Sequence, residues 1–164
     1  MINEYEAVEI VVEIPKGSRN KYEIDHDTGH IWLDRHLFTA TRYPSDYGFI
    51  EHTLGEDGDP LDALILLEDP TFPGCHIRAR PVGVLEMADE AGRDLKVLCV
   101  ASGDQRWDHL QGIADVPEHL LAEIRHFFEV YKDLEPGKRS NVGDWSGRDD
   151  AVAAIAAATA AYPG

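Results

Sequence analysis

Residues 56–67 read Glu-Asp-Gly-Asp-Pro-Leu-Asp-Ala-Leu-Ile-Leu-Leu, an acidic turn that leads directly into an apolar run. The run at 63–67 is short and almost purely apolar, which predicts a strand buried on both faces. The proline favours an extended conformation before it, so Asp57 and Asp59 point to the same side. It then turns the chain, which can bring Asp62 back towards them. This segment therefore predicts a buried strand with three carboxylates at its entrance.

Three neighbouring carboxylates repel one another unless a cation lies among them. Oxygen ligands without Cys or His favour Mg²⁺, Mn²⁺ or Ca²⁺. The alternative is a solvated acidic turn, because Asp-Gly is a common turn dipeptide. An EF-hand does not fit, since its sixth position should be Gly and is Asp62.

The sequence before and after this segment predicts strands first and helices last. Every second residue from Val8 to Ile14 is apolar, and Pro15 ends this pattern, as expected of a strand. Residues 21–24 and 30–33 flank an Asp- and Gly-containing turn, which predicts a hairpin. Residues 80–87 and 95–100 predict a second pair of strands.

After residue 114 the apolar residues recur with the spacing of a helix, and from Leu120 to Tyr131 they fall on one helical face. Asp115 and Glu118 resemble a capping box at its start. A weaker, alanine-rich helix runs from Asp149. Strands followed by helices predict an α+β, mainly β fold, with a mainly antiparallel sheet or small barrel and helices on one side.

Charge and length restrict the possible functions. The chain has 164 residues, enough for one domain, and we expect residues 1–164 to form it, with 149–164 as a peripheral helix and tail. Thirty-one acidic against fifteen basic residues give a formal charge of −16. Nucleic acids and anionic membranes both require a basic face, so neither is expected as a partner. An anionic substrate would need locally placed Lys and Arg or a metal.

The cysteines and the amino terminus favour the cytoplasm. Cys75 and Cys99 form neither a CxxC pair nor a disulfide framework, and Cys99 lies in an apolar strand. The first residues are acidic and lack the apolar segment of a secretory signal. We therefore expect a reducing, cytoplasmic setting.

Several further segments each have an ordinary structural explanation when they are considered alone. The acidic loop from Asp89 to Lys96 reads as a hydrophilic hairpin tip, and the Lys21–Glu23 face reads as solvated. Tyrosines such as those at 43 and 47 are more often at the edge of a core than catalytic. Lys132 complements the dipole of the preceding helix without any further role.

Together, however, these segments occur in a recognisable order from Glu13 to Trp145: Glu-Ile-Pro, Lys-Tyr-Glu, Asp-Arg, Tyr-Pro-x-x-Tyr-Gly, Asp-Gly-Asp-Pro-Leu-Asp, Arg-Pro-Val-Gly, Asp-Glu-x-Gly-x-Asp-x-Lys and His-Phe-Phe-Glu-x-Tyr-Lys. This set closely resembles the family I soluble inorganic pyrophosphatases of the bacterial type. The resemblance implies a small, twisted, five-stranded OB-like barrel with helices packed outside. It also implies Mg²⁺-dependent hydrolysis of pyrophosphate to two orthophosphates, and a homohexamer; Mn²⁺ or other divalent cations could replace Mg²⁺.

The resemblance also assigns roles to individual residues. Asp59 would be the general base, and Tyr47, with Tyr43, would line the site; we take Asp59 and Tyr47 as the catalytic pair. The metal ligands would be the carboxylates Asp57, Asp62, Asp89 and Asp94, with Glu13, Glu23 and Glu90 as outer or auxiliary ligands. The substrate would be held by Lys21, Arg35, Tyr43, Lys96, Tyr131 and Lys132.

Three alternatives remain at this level. The domain could sequester divalent cations without turnover, although such a module would not need Lys21, Arg35, Lys96 and Lys132. It could also act on organic diphosphates or nucleotides. His26 reads first as an exposed turn residue, and otherwise as an auxiliary ligand for softer metals or a pH-sensitive group.

Overall fold

The computed structural model describes residues 7–164; residues 1–6, part of the acidic amino terminus, lie outside that range. The strands are β1 (Val8–Ile14), β2 (Asn20–Ile24), β3 (Ile31–His36), β4 (Asp46–Ile50), β5 (Asp62–Leu66), β6 (His76–Asp89), β7 (Gly92–Arg93), β8 (Lys96–Ala101) and β9 (Asn141–Ser146). The helices are α1 (Glu118–Val130) and α2 (Arg148–Ala161). A short 3-10 helix, Ile113–Asp115, precedes α1.

Five strands form a closed ring in the order β1–β4–β5–β8–β6, and β6 pairs back to β1. All of these pairs are antiparallel except β5–β8. The ring is not evenly barrel-like, because the 14-residue β6 continues past it to pair with β7 and β9. The predicted α+β, mainly β fold with a small five-stranded barrel is confirmed.

The strands of the ring bury both of their faces, as their apolar sequences require. Leu64 and Leu66 of β5 join a cluster of buried residues that packs against α1. Ala63 and Ile65 of the same strand join a second cluster, which packs against Ile155 and its neighbours in α2. The two helices therefore cover different clusters, and α2 contributes to the core although its sequence reads as peripheral.

Gly48 in β4 shows why the Tyr-Gly pair is needed at this point of the chain. A Cβ atom added there would lie 1.9 Å from the carbonyl oxygen of Val11. Strands β1 and β4 approach closely at this position, beside an irregularity in their register. Only glycine permits this approach, which sets the position of Tyr47 next to it.

The predicted strand segments are confirmed, including the β2–β3 hairpin. The predicted capping box is wrong. The N-cap of α1 is Pro117 and has no side-chain cap, while the Asp115 carboxylate accepts hydrogen bonds from the backbone N–H groups of Gln111 and Gly112. Strand β9 was not predicted, because its sequence lacks apolar alternation. Neither helix in the described part of the chain has the length and apolarity needed to cross a membrane.

Candidate active site

A cavity of about 300 Å³ lies beside the strand ends that carry Asp62 and Lys96. The parallel β5–β8 register places these two residues directly opposite each other. Every predicted site residue except Tyr43 lines this cavity: Glu13, Lys21, Glu23, Arg35, Tyr47, Asp57, Asp59, Asp62, Asp89, Glu90, Asp94, Lys96, Tyr131 and Lys132. The structure therefore gathers segments that are far apart in sequence around one space.

Lys96 is the buried cation of this site, with only 2% of its surface exposed. Its Nζ donates to Asp62 Oδ2 at 2.7 Å, to Asp94 Oδ2 at 2.9 Å and to the Tyr47 hydroxyl at 2.7 Å. The ammonium also lies 5.3 Å from the centre of the Phe128 ring. Although burial lowers the pKa of Lys96, the charge of Asp62 and its neighbours raises it overall, so the lysine stays charged.

Three carboxyl groups that line the cavity, Glu13, Asp57 and Asp94, have raised pKa values. Burial raises the pKa of Glu13 to about 7, although the Ile24 N–H bonds to the carboxylate and opposes the change. Burial, supported by the charge of Asp62, raises the pKa of Asp94 to about 6 against the effect of Lys96. Burial also raises the pKa of Asp57. Among the described residues, eight acidic and five basic side chains line the cavity, so its lysines and arginine do not balance its negative charge.

The excess of carboxylates indicates whether a divalent metal ion fits this cavity. A cation among these carboxylates would stabilise their ionised forms and so oppose the effect of burial on their pKa values. The donors near Asp57, Asp62 and Asp94 are oxygens of ionisable carboxyl groups, which suit hard divalent cations. The residues therefore fit a divalent metal ion.

The turn before β5 holds Asp57 and Asp59 in a defined arrangement. The Asp57 carboxylate accepts the Asp59 N–H at 3.1 Å, and the Asp59 carbonyl accepts the Gly55 N–H at 2.7 Å. Gly58, between them, has a φ of +89°, which favours glycine. Asp59 itself is exposed to solvent at the cavity, so its carboxylate is free to meet a substrate or water.

The tyrosines form the aromatic wall behind the lysine. Tyr47 lines the cavity, while Tyr43 is 2% exposed and packs behind it with ring centres 5.5 Å apart. The structure thus places Tyr43 in the core next to the site and outside the cavity lining. Burial raises the pKa of Tyr131 to about 12 and that of Tyr47 well above its usual value, so both keep their hydroxyl protons.

Two cations on the β2–β3 hairpin face the cavity. Lys21 Nζ lies 3.1 Å from Asp34 Oδ2, and the Arg35 guanidinium contacts the same Asp34 carboxylate. Arg35 Nε lies 3.1 Å from Oε1 of Glu135, which follows α1. Neither acidic partner was predicted: Asp34 stands in the sequence only as part of the Asp-Arg pair, and Glu135 is followed by Pro-Gly, which indicates no more than the end of a helix.

Other lining residues lie in loops or at the end of a strand. Asp89 and Glu90 lie at the β6–β7 tip, where Glu90 Oε1 accepts the Arg139 N–H at 3.3 Å. Lys138 also lines the cavity and was missed, because nothing in its sequence distinguishes it from other exposed lysines. His26 is exposed at the rim, with its ring edge-on to Phe49 at 4.9 Å.

Two other features lie close to or outside this cavity. A larger, mainly apolar hollow of about 560 Å³ lies along alanines of α2 and shares Asp57, Asp62 and Asp94 with the acidic cavity. Separately, Glu9, Glu51 and His76 bring their ligand atoms within 4.8 Å of one another. This second group was not predicted, because its members come from three different parts of the sequence.

The whole chain is similar to known proteins. The family described as Inorganic pyrophosphatase matches residues 10–163. An inorganic pyrophosphatase of Streptomyces coelicolor is 63% identical over 147 residues, covering 90% of each chain. One of Methanosarcina acetivorans is 50% identical over 161 residues, covering 98% of this chain and 95% of the relative. The crystal structure of inorganic pyrophosphatase from Thermus thermophilus has a TM-score of 0.95 at 51% identity, covering 100% of this chain and 95% of that one.

Proposed function

The chain belongs to the inorganic pyrophosphatase family, and we propose that it hydrolyses inorganic pyrophosphate to two orthophosphates in the acidic cavity. One observation carries the proposal: carboxylates that suit divalent cations and basic groups that suit phosphate line the same small space. A module that only stores cations would need the carboxylates but not Lys21, Arg35 and Lys132. The convergence of both sets favours hydrolysis.

We propose Mg²⁺ as the cofactor, with Mn²⁺ or other divalent cations as possible substitutes. The ligands would be Asp57, Asp62, Asp89 and Asp94, with Glu13, Glu23 and Glu90 in auxiliary positions. When bound, such ions would supply positive charge that offsets the charge of pyrophosphate and favours ionisation of the attacking water.

The protein groups divide into a base and a set of phosphate ligands. Asp59 would accept the proton of the attacking water, and its exposed carboxylate beside Asp57 supports that role. Tyr47 would keep its proton and act as a hydrogen-bond donor near the reacting oxygens, since burial raises its pKa.

The cations would neutralise the phosphates and stabilise charge on the leaving group. This role is proposed for the cations Lys21, Arg35, Lys96 and Lys132, while the neutral Tyr131 would donate a hydrogen bond to the phosphate. Lys96 would keep its contacts with Asp62 and Asp94 and hold their carboxylates in position. Tyr43 would support the site from behind Tyr47, because it packs there and lies outside the cavity lining.

The test is orthophosphate release from pyrophosphate with Mg²⁺, and again after chelation with EDTA. We expect turnover that EDTA abolishes. Asp59→Asn should slow turnover by about a hundredfold or more, because loss of a general base costs about 10²–10⁴ in rate. Asp69→Asn is the matched control, since Asp69 is exposed on the loop after β5 and outside the cavity lining. An Asp59→Asn variant with near-full activity would disprove the assignment of the base.

A comparison of pyrophosphate with ATP, under Mg²⁺ and under Mn²⁺, would reveal any activity on organic diphosphates or nucleotides. We expect pyrophosphate to be strongly preferred, because the cavity of about 300 Å³ is lined mostly by charged groups. Equal rates on ATP would contradict the assigned substrate.

We also propose a single domain over residues 1–164 that acts in the cytoplasm, which the two free cysteines support. The proposed assembly is a homohexamer. Exposed apolar side chains on β3 and nearby, such as Trp32 and Phe72, support burial between subunits. Sedimentation with and without Mg²⁺ tests this, and a monomer in both conditions would contradict it.

A further inference from the structure

Glu135 is an unusual acidic residue in this chain, because it is buried without lining the cavity. Its side chain is 6% exposed, and it lies just after α1, beyond Tyr131 and Lys132. The walls of the cavity include Arg35, Tyr131 and Lys132 but not Glu135. A carboxylate removed from water is costly unless it is paired with a cation.

The cation that the structure pairs with Glu135 is Arg35, which is 100 residues away in sequence. Arg35 Nε lies 3.1 Å from Glu135 Oε1, and an Nη2–H donates to Oε2 at 3.3 Å. Nη2 supplies the one hydrogen bond of this pair, because the buried Nε has no hydrogen-bond partner within residues 7–164 and contributes an ionic contact alone. The other terminal nitrogen, Nη1, donates to Asp34 beside Lys21, so the guanidinium is held between the carboxylates of Glu135 and Asp34.

Glu135 is itself fixed relative to α1. Its N–H donates to the Lys132 carbonyl at 2.9 Å, and its carbonyl accepts the Lys138 N–H at 3.2 Å. The same short segment therefore carries Lys132 and Lys138 on the cavity wall and the partner of Arg35 behind it. Glu135 contacts Arg35 on β3 and lies within one backbone turn of Lys132 and Lys138. It therefore fixes the position of Arg35 relative to these two lysines.

We propose that Glu135 is a positioning residue that holds the Arg35 guanidinium for the phosphate of the substrate. It acts through Arg35 and does not touch the substrate. The inference rests on the proposed function, because Arg35 has a substrate to meet only if the cavity binds pyrophosphate.

The experiment measures kcat and KM for pyrophosphate in wild-type protein and in Glu135→Gln, Glu135→Asp, Arg35→Ala and Arg35→Ala/Glu135→Gln. Glu129→Gln is the matched control, since Glu129 pairs with Arg125 on the surface of α1. Thermal unfolding of each variant shows that the assayed protein is folded.

We expect Glu135→Gln to raise KM about tenfold, which is the size of a typical coupling between residues in direct contact, with a smaller change in kcat. Glu135→Asp should recover part of the affinity, because it keeps the charge. In the Arg35→Ala background, Glu135→Gln should change KM less than about twofold, since the group through which it acts is gone.

Glu129→Gln should leave both constants unchanged. A purely structural role for Glu135 predicts the same rise in KM in both backgrounds, and that result overturns the inference. So does an unchanged KM in Glu135→Gln, whatever happens to its melting temperature. If wild-type protein releases no phosphate from pyrophosphate, the proposed function fails first, which distinguishes the two failures.

Discussion

The two clusters of buried residues share the same strands but differ in chemistry. The cluster under α1 contains Tyr47, Phe127 and Phe128 and lies against the buried, charged Lys96. The cluster under α2 is aliphatic, and small side chains such as Ala151 and Ala158 bring the helix close to the strands. Aromatic rings can pack against an ammonium as well as against apolar groups. The cluster under α1 therefore packs directly against the buried cation of the site, while the cluster under α2 packs through aliphatic contacts alone.

Replacing the lysine at the boundary of the first cluster should have the largest effect. Lys96→Met removes the partner of the buried Asp94 carboxylate and of the partly exposed Asp62 carboxylate, so the free energy of unfolding should fall by about 3 kcal/mol. Turnover should fall at least about a hundredfold, the scale reported for loss of one stabilising group in an active site. Urea unfolding and phosphate release measure these effects. Lys16→Met, at an exposed lysine, should change neither quantity, and a stable, active Lys96→Met would contradict this account of the first cluster.

A change in the second cluster should affect stability alone. Ile155 is 1% exposed, and Ile155→Ala would leave a cavity under α2, which costs about 3 kcal/mol. Turnover of the folded protein should stay within about twofold of wild type, because Ile155 does not line the acidic cavity. Denaturant unfolding and steady-state kinetics separate the two quantities. A loss of activity as large as that of Lys96→Met would show that the two clusters are not independent.

The pH dependence of the stability of the metal-free protein should also distinguish the site beside the first cluster from the cluster under α2. Glu13 has a folded-state pKa raised to about 7 from an ordinary value of 4.5, mainly by burial. Between these values the folded state holds a proton that the unfolded state has released, so stability falls as pH rises. In EDTA, Glu13→Gln should therefore gain roughly 5 °C in melting temperature relative to wild type between pH 4.5 and pH 7.

Calorimetry at several pH values gives this difference, and Mg²⁺ should reduce it by stabilising the ionised carboxylates. Ile155→Ala should shift the whole curve without changing its slope. A constant offset between Glu13→Gln and wild type would mean that Glu13 does not titrate in this range.

The sequence predicted what depends on local pattern, and it missed what depends on pairing across the fold. Alternation located β1, and the apolar run located β5, because both signals lie within a few residues. Resemblance located the lining residues by motif. It could not show that Tyr43 packs behind Tyr47, because side-chain depth depends on strands paired elsewhere. Glu135 was missed for the same reason: its partner is 100 residues away, and its own sequence resembles a helix end.

The smallest expected effect is on the reactivity of the two cysteine thiols. This reactivity is also the most direct measure of local opening of the cluster under α2. Cys99 lies in β8 within the cluster under α2, and burial raises the pKa of its thiol far above its usual range. Cys75 is only half-buried before β6. Since the thiolate is the reactive form, a disulfide reagent such as Ellman's should modify about one thiol per folded chain and two in denaturant.

Cys75→Ser should abolish the fast reaction, which assigns it. In that background the slow reaction of Cys99 reports opening of the second cluster. Ile155→Ala should accelerate it, because a cavity under α2 lowers the free energy of opening, whereas Glu135→Gln on the other side of the sheet should not. Equal acceleration by both changes would mean that the sheet transmits a loss of packing from one face to the other, and the two clusters would then have to be treated as one cooperative unit.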